Sequence, residues 1–199
     1  MTIERLFYIL KGMEQEALMP VKMPLENKIF VLLGQHALTD KMLKLTAALC
    51  LRQTVTVLDC GNRADMYAIA RHLRSFTRDP VGALNKIRLS RAFTGYQTVA
   101  MFEAAITAPL SESFLVLDIL PTFLDEDLKL EDARRLFDRA LSCLRTLSQH
   151  APVIISAKPI PSIARERESL LDTLRDQADF YWEEPQPLSA GTMQSSLFA

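Results

Sequence analysis

Lys28-Ile-Phe-Val-Leu-Leu-Gly34, continued by Gln35-His-Ala-Leu-Thr-Asp40 and then by Lys41–Arg52, is the stretch whose reading decides the fold. Its apolar run is too short for a helix and stops at a glycine, so it reads as a buried strand. Residues 35–40 make the turn. Lys41–Arg52 carries Met42, Leu43, Leu45, Ala48 and Leu49 at helical spacing, and Thr39 or Asp40 is placed to cap that helix by accepting from its first free amides. A strand, a turn and a helix N-terminus form the place where an α/β protein holds a phosphate. The residues for holding one are missing. A phosphate loop reads G-x-x-x-x-G-K followed by Ser or Thr, so that amides wrap the phosphates and the lysine neutralises them. Counted from Gly34, the second glycine is Thr39, the lysine is Asp40 and the hydroxyl residue is Lys41. A carboxylate at the lysine position repels a triphosphate, which argues against ATP hydrolysis and against ATP or magnesium as cofactors.

Outward from this stretch, strands and helices alternate. Thr54–Leu58 reads as a second strand ending at Asp59-Cys60-Gly61, Lys86–Phe93 as a third, Ser113–Leu120 as a fourth with Asp118 near its end, Pro152–Ser156 as a fifth and Asp179–Glu183 as a short sixth. Between them, Asn62–Phe76, Tyr96–Ile106, Leu128–Gln149 and Glu166–Gln177 carry helical periodicity. Several strands are apolar along their whole length. This predicts an α/β fold with a mostly parallel sheet covered by helices on both faces. Ligands in such folds sit beyond the carboxyl ends of the strands, where the sequence places Gly34, Asp59, Asp118 and Ser156-Ala-Lys158.

At 199 residues the chain is one domain with tails, divided as an N-terminal helical arm and connector (1–27), a core (28–184) and a tail (185–199). The arm carries Ile3, Leu6, Phe7 and Leu10, a face for packing on its own domain or on a second subunit in an oligomer. The formal charge of −1 supplies no global field toward nucleic acid or membrane. Cys50, Cys60 and Cys143 lie far apart without metal spacing and read as reduced core thiols, which points to the cytoplasm. No apolar run reaches membrane-spanning length, and Glu4 interrupts what would otherwise resemble a signal peptide. His36, His72 and His150 have no spacing for a metal or a triad, and no serine or cysteine sits on a nucleophile elbow.

Ile87-Arg-Leu-Ser-Arg-Ala-Phe-Thr-Gly-Tyr-Gln97 is similar to a segment of the RecA/RadA recombinase family, in which a strand ending in Ala-Arg-Ala-Phe leads through a polar turn and a glutamine into a helix. Thr54–Asp59 resembles the strand that ends in that family's Asp-Thr-Glu-Gly. Ser113–Asp118 resembles its Walker B strand, and Pro152–Lys158 the strand before its second DNA-binding loop. The resemblance spans residues 28–184 and implies a RecA-like P-loop NTPase core. It also implies two losses: the Walker A positions Gly34, Thr39, Asp40 and Lys41 are degenerate, and the catalytic glutamate falls at Gly61. Asp118 keeps the Walker B position, although an aspartate there also serves to hydrogen-bond the next turn. The loop after it, Pro121–Asp127, is acidic where a DNA contact calls for arginine.

Candidate nucleic-acid contacts are Arg165 and Arg167, alternating with glutamates, and Arg71, Arg74 and Arg78, which share a helix face by three- and four-residue spacing. No aromatic residue interleaves the second run in a stacking pattern, so it reads mainly as a solvated face. In the tail, Gln194-Ser-Ser-Leu-Phe198 resembles the bacterial sliding-clamp-binding peptide at Gln194, Leu197 and Phe198 and departs from it at Ser195. In that family leucine and phenylalanine enter an apolar pocket and glutamine bonds at its rim. The resemblances together imply a catalytically silent, cytoplasmic and nucleoid-associated adaptor in DNA recombination, repair or damage-tolerant replication. Its partners would be a recombinase or polymerase and the sliding clamp. The competing readings are an ATPase with an unorthodox loop, using Lys41 or Lys158 on the phosphates, and a regulator unrelated to DNA.

Overall fold

A computed structural model describes residues 27–108 and 111–185. The element order is β1 (Ile29–Leu33), α1 (Thr39–Cys50), β2 (Val55–Asp59), α2 (Met66–Phe76), α3 (Pro80–Leu84), β3 (Ile87–Arg91), α4 (Gly95–Thr107), β4 (Ser113–Leu117), α5 (Leu130–Ser148), β5 (Val153–Ala157), α6 (Glu168–Asp176) and β6 (Phe180–Glu183). The six strands form one sheet in the order β3-β2-β4-β5-β1-β6, and every pairing is parallel. β1, β4 and β5 are buried at every position, which is why they read as unbroken apolar runs rather than alternating ones.

The pleat sends alternate side chains to two separate cores. Ile29, Val31 and Leu33 join Phe102, Phe137, Leu144 and Leu174 from α4, α5 and α6 on one face. Phe30 and Leu32 join Met42, Leu45, Ile69 and Ala83 from α1, α2 and α3 on the other. The chain travels outward from β1 to β2 and β3 and then returns to β4, β5 and β6. Right-handed crossovers therefore place the helices of the two legs on opposite faces. Because all strands run the same way, their carboxyl ends line a single edge of the molecule.

Four local features differ from the sequence expectation. α1 begins at Thr39, and neither Thr39 nor Asp40 caps it. Its N-cap is Leu38 in left-handed conformation with no side-chain cap, and Thr39 Oγ1 instead donates to the His36 carbonyl at 2.6 Å. α3 was not foreseen, since five residues carry no measurable periodicity; Asp79 caps it and Pro80 opens it. β4 stops at Leu117 because Asp118 takes φ 50, which ends the ladder geometry. α2 ends at Phe76, so Arg78 lies beyond the helix and does not share a helical face with Arg71 and Arg74. The helical arm proposed for residues 1–27 falls, apart from Asn27, outside the described residues.

All three cysteines are buried and free, and burial pushes the Cys50 thiol up to about 11. Among the described residues, no helix is long and apolar enough to cross a membrane. The two-core architecture predicts a steep cost for truncating its largest side chains. Phe137 is fully buried on α5 and meets Phe123 edge-on at a centroid distance of 5.0 Å. Phe137→Ala should lower the unfolding free energy by about 3–5 kcal/mol. Asp138→Ala, at the exposed neighbour, should stay within about 0.5 kcal/mol in the same urea titration.

Candidate functional site

Two buried carboxylates stand at the carboxyl ends of the adjacent strands β2 and β4. Asp59 accepts from the backbone amides of Arg63 at 2.8 Å and Ala64 at 3.0 Å, and from Arg91 Nε at 2.8 Å. Arg91 also donates to the Ala64 carbonyl at 2.9 Å. One carboxylate thus folds the turn after β2 and ties it to the end of β3. Asp118 is equally buried, and its amide donates to Ser156 Oγ on β5 at 3.0 Å. Its Oδ2 accepts from Arg63 Nε at 2.9 Å and lies 2.9 Å from the second guanidinium nitrogen. Its Oδ1 is buried with no hydrogen-bond partner among the described residues. Burial drives the Asp118 carboxyl above its ordinary range, while Arg63 and Lys158 pull the other way and Asp59 adds to the rise.

The expected turn-bonding role therefore belongs to Asp59, and Asp118 is instead held by a side chain. Arg63 places a guanidinium against Asp118 where a bound cation would otherwise compensate it. Gly61 permits this arrangement, since a Cβ there would lie 2.4 Å from Asp118 Cβ.

The turn after β1 is packed rather than open. His36, Ala37 and Leu38 have φ values of 51, 53 and 52, three successive left-handed residues without a glycine among them. Each costs about 1–2 kcal/mol relative to right-handed backbone. The return is burial: Ala37 and Leu38 are inside, and Leu38 folds onto Gly34 so closely that a Cβ at position 34 would meet Leu38 Cδ2 at 2.4 Å and Glu184 Oε2 at 2.8 Å. Lys41 forms an ion pair with Glu184 and lies 5.5 Å over the Trp182 ring. Glu184 itself is fixed by its amide, which donates to the Leu33 carbonyl at 2.8 Å. Asp40 is exposed and 3.4 Å from His72 Nε2. His36 is an exposed turn residue.

The remaining candidates separate. Arg71, Arg74, Arg78 and Arg165 are exposed. Arg167 is 5% exposed and donates to the carbonyls of Phe123 at 2.6 Å and Leu128 at 2.5 Å, so it ties the loop after β4 to the start of α6. It is a structural arginine and not a nucleic-acid contact. Gln194, Leu197 and Phe198 fall outside the described residues. Sequence reasoning missed Arg63, Leu38 and Glu184. Arg63 precedes a helix by a few residues like any loop cation, and no spacing shows that it crosses to β4. It also missed Tyr67, which stands four residues before Arg71 on α2 with 86% of its surface exposed.

Together these features define an all-parallel α/β protein whose strand-end polar site is closed by its own side chains. No model of a known protein family matches the chain, and no curated protein matches it.

The packing around Asp118 generates a pH dependence. Its carboxyl is raised above the ordinary 3.8, so just above that value the folded chain holds a proton that the unfolded chain has released. Stability through this group falls as pH rises across that window. Urea midpoints from about pH 4 to about pH 7 should therefore move against wild type relative to Asp118→Asn, and a pH-independent difference would contradict the burial effect. Gly61→Ala should cost about 1–3 kcal/mol by the same measurement, from overpacking against Asp118.

Proposed function

We propose that the chain is a non-catalytic, RecA-like accessory protein of DNA recombination, repair or damage-tolerant replication. It acts as an adaptor, its core docking a recombinase or polymerase and its tail docking the sliding clamp. The observation that carries this reading is the self-occupation of the strand-end site. Leu38 fills the space above Gly34, Glu184 takes the charge of Lys41, and Arg63 takes that of Asp118. A nucleoside triphosphate with magnesium needs free amides, a free cation and a free carboxylate at these three places. These contacts speak against that group at Gly34, Lys41 and Asp118, and no step of the proposed function passes through it.

The order of elements supports the recombinase likeness. The Asp118 strand and the Gly34 strand are separated by β5 within one parallel sheet, and the Arg88–Gln97 segment runs from edge strand β3 into α4 as the resemblance implies. Gln194, Leu197 and Phe198 support the clamp contact through their likeness to its binding peptide. A few apolar anchors of this kind supply most of an interface's energy.

Calorimetry of the full chain with ATP and magnesium should show no saturable heat, and clear saturation would end the silent-scaffold reading. Capture of the bacterial sliding clamp by the full chain should fall at least about tenfold in a Leu197→Ala/Phe198→Ala variant, the expected loss for two buried anchors. Equal capture by both would remove the clamp from the proposal.

A further inference from the structure

Exposed aromatic side chains gather where β2 and β3 end. Phe93 and Tyr96 flank the entry to α4 with 66% and 57% of their surfaces exposed, and Tyr67 stands on the first turn of α2. Backbone and side-chain bonds hold these segments side by side. Arg91 at the end of β3 donates to the Ala64 carbonyl before α2, and the Ala92 amide donates to the Asp59 carbonyl at 3.0 Å. The Phe93 amide donates to Gln97 Oε1 at 2.9 Å. Aromatic rings fixed and exposed together mark a surface that another molecule covers.

Charge borders this patch on two sides, with opposite sign. On the α2 side, Tyr67, Arg71 and Arg74 stand at i, i+4 and i+7 on one exposed helix face, and neither arginine has an ion pair among the described residues. On the α4 side lies the loop after β4. Gly95 packs on it so closely that a Cβ there would lie 3.2 Å from the Thr122 carbonyl oxygen and 3.3 Å from Leu128 Cδ2. The Thr98 and Thr122 hydroxyls are 3.0 Å apart. Between these anchors the loop turns back on itself, the Asp127 amide donating to Asp125 Oδ1 at 3.0 Å and the Leu128 amide to the Asp125 carbonyl at 3.2 Å. Asp125, Glu126 and Asp127 are thereby held next to the start of α4, exposed and without an ion pair among the described residues.

The order across the corner is basic, aromatic, acidic. A polyanion is repelled by one border and a polycation by the other. Under a two-fold rotation the same order is complementary to itself: rings meet rings at the axis, and the arginines of each copy meet the carboxylates of the other. The formal charge of −1 adds almost no overall repulsion between copies. We infer that two copies of this chain associate through this corner as a closed, two-fold dimer. Tyr67, Phe93 and Tyr96 form its centre, and Arg71 and Arg74 of each copy face Glu126 and Asp127 of the other. The dimer goes beyond the adaptor reading and does not rest on it, since neither ATP nor the clamp enters.

Sedimentation equilibrium of the full chain measures the association directly. The wild-type mass should rise with concentration from the 22.5 kDa of one chain to twice that value and stop there. Phe93→Ala and Tyr96→Ala should each weaken self-association roughly 30-fold, because a two-fold interface carries every substitution twice. Charge reversal tests the pairing. Arg71→Glu/Arg74→Glu and Glu126→Arg/Asp127→Arg should each stay monomeric alone, and an equimolar mixture should regain the dimer mass, since opposite charges then meet at both borders. A chain with all four reversals should dimerise with itself and not with wild type. All of these positions are exposed, and circular dichroism checks that each variant is folded. A wild-type mass of one chain up to about 100 μM, where a weak interface with a Kd of about 10 μM is mostly dimeric, would overturn the inference. So would growth beyond two copies into open chains, or a dimer that none of these substitutions weakens.

Discussion

The pairing of Arg63 with Asp118 is the interaction on which the strand-end architecture rests. A carboxylate this deeply buried is tolerable only when a partner compensates it, because desolvation penalises the charged form severely. Arg63 supplies that compensation from the turn after β2, reaching the residue that follows β4. For it to do so, the turn must be shaped by Asp59, whose carboxylate gathers the Arg63 and Ala64 amides and the Arg91 side chain. Gly61 must also leave room. Three strands, two carboxylates and two arginines are thereby fixed by one set of bonds, and the ends of β2, β3 and β4 hold their places relative to each other.

A second constraint closes the other side of the same edge. Three left-handed residues in the turn after β1 are costly backbone, and such strain persists only where surroundings over-determine it. Here the surroundings are Leu38 buried on Gly34 and Lys41 clasped by Glu184 from the end of β6. A turn of this composition gives up the open amides of a phosphate cradle and gains apolar burial. Strand, turn and helix remain in the order that suits an anion, yet the space is filled by leucine.

Much of the fold was legible in the chain itself. All six strands and the main helices follow from period and punctuation, because Ile29–Leu33, Phe114–Leu117 and Val153–Ile155 are apolar without break, and burial on both faces of a parallel sheet makes use of such runs. The departure of Gly34–Lys41 from the phosphate-loop pattern was equally plain, since it is a matter of which residue stands at which count from Gly34. Contacts between residues far apart in sequence were not legible. Nothing in local pattern distinguishes Arg63, which spans to Asp118, from Arg71, which faces solvent, or Arg167, which is buried on two carbonyls, from Arg165, which is exposed. Period and propensity are properties of neighbours along the chain, whereas the partner of a charge is set by the order in which strands assemble. That order, β3-β2-β4-β5-β1-β6, is what only the tertiary structure decided.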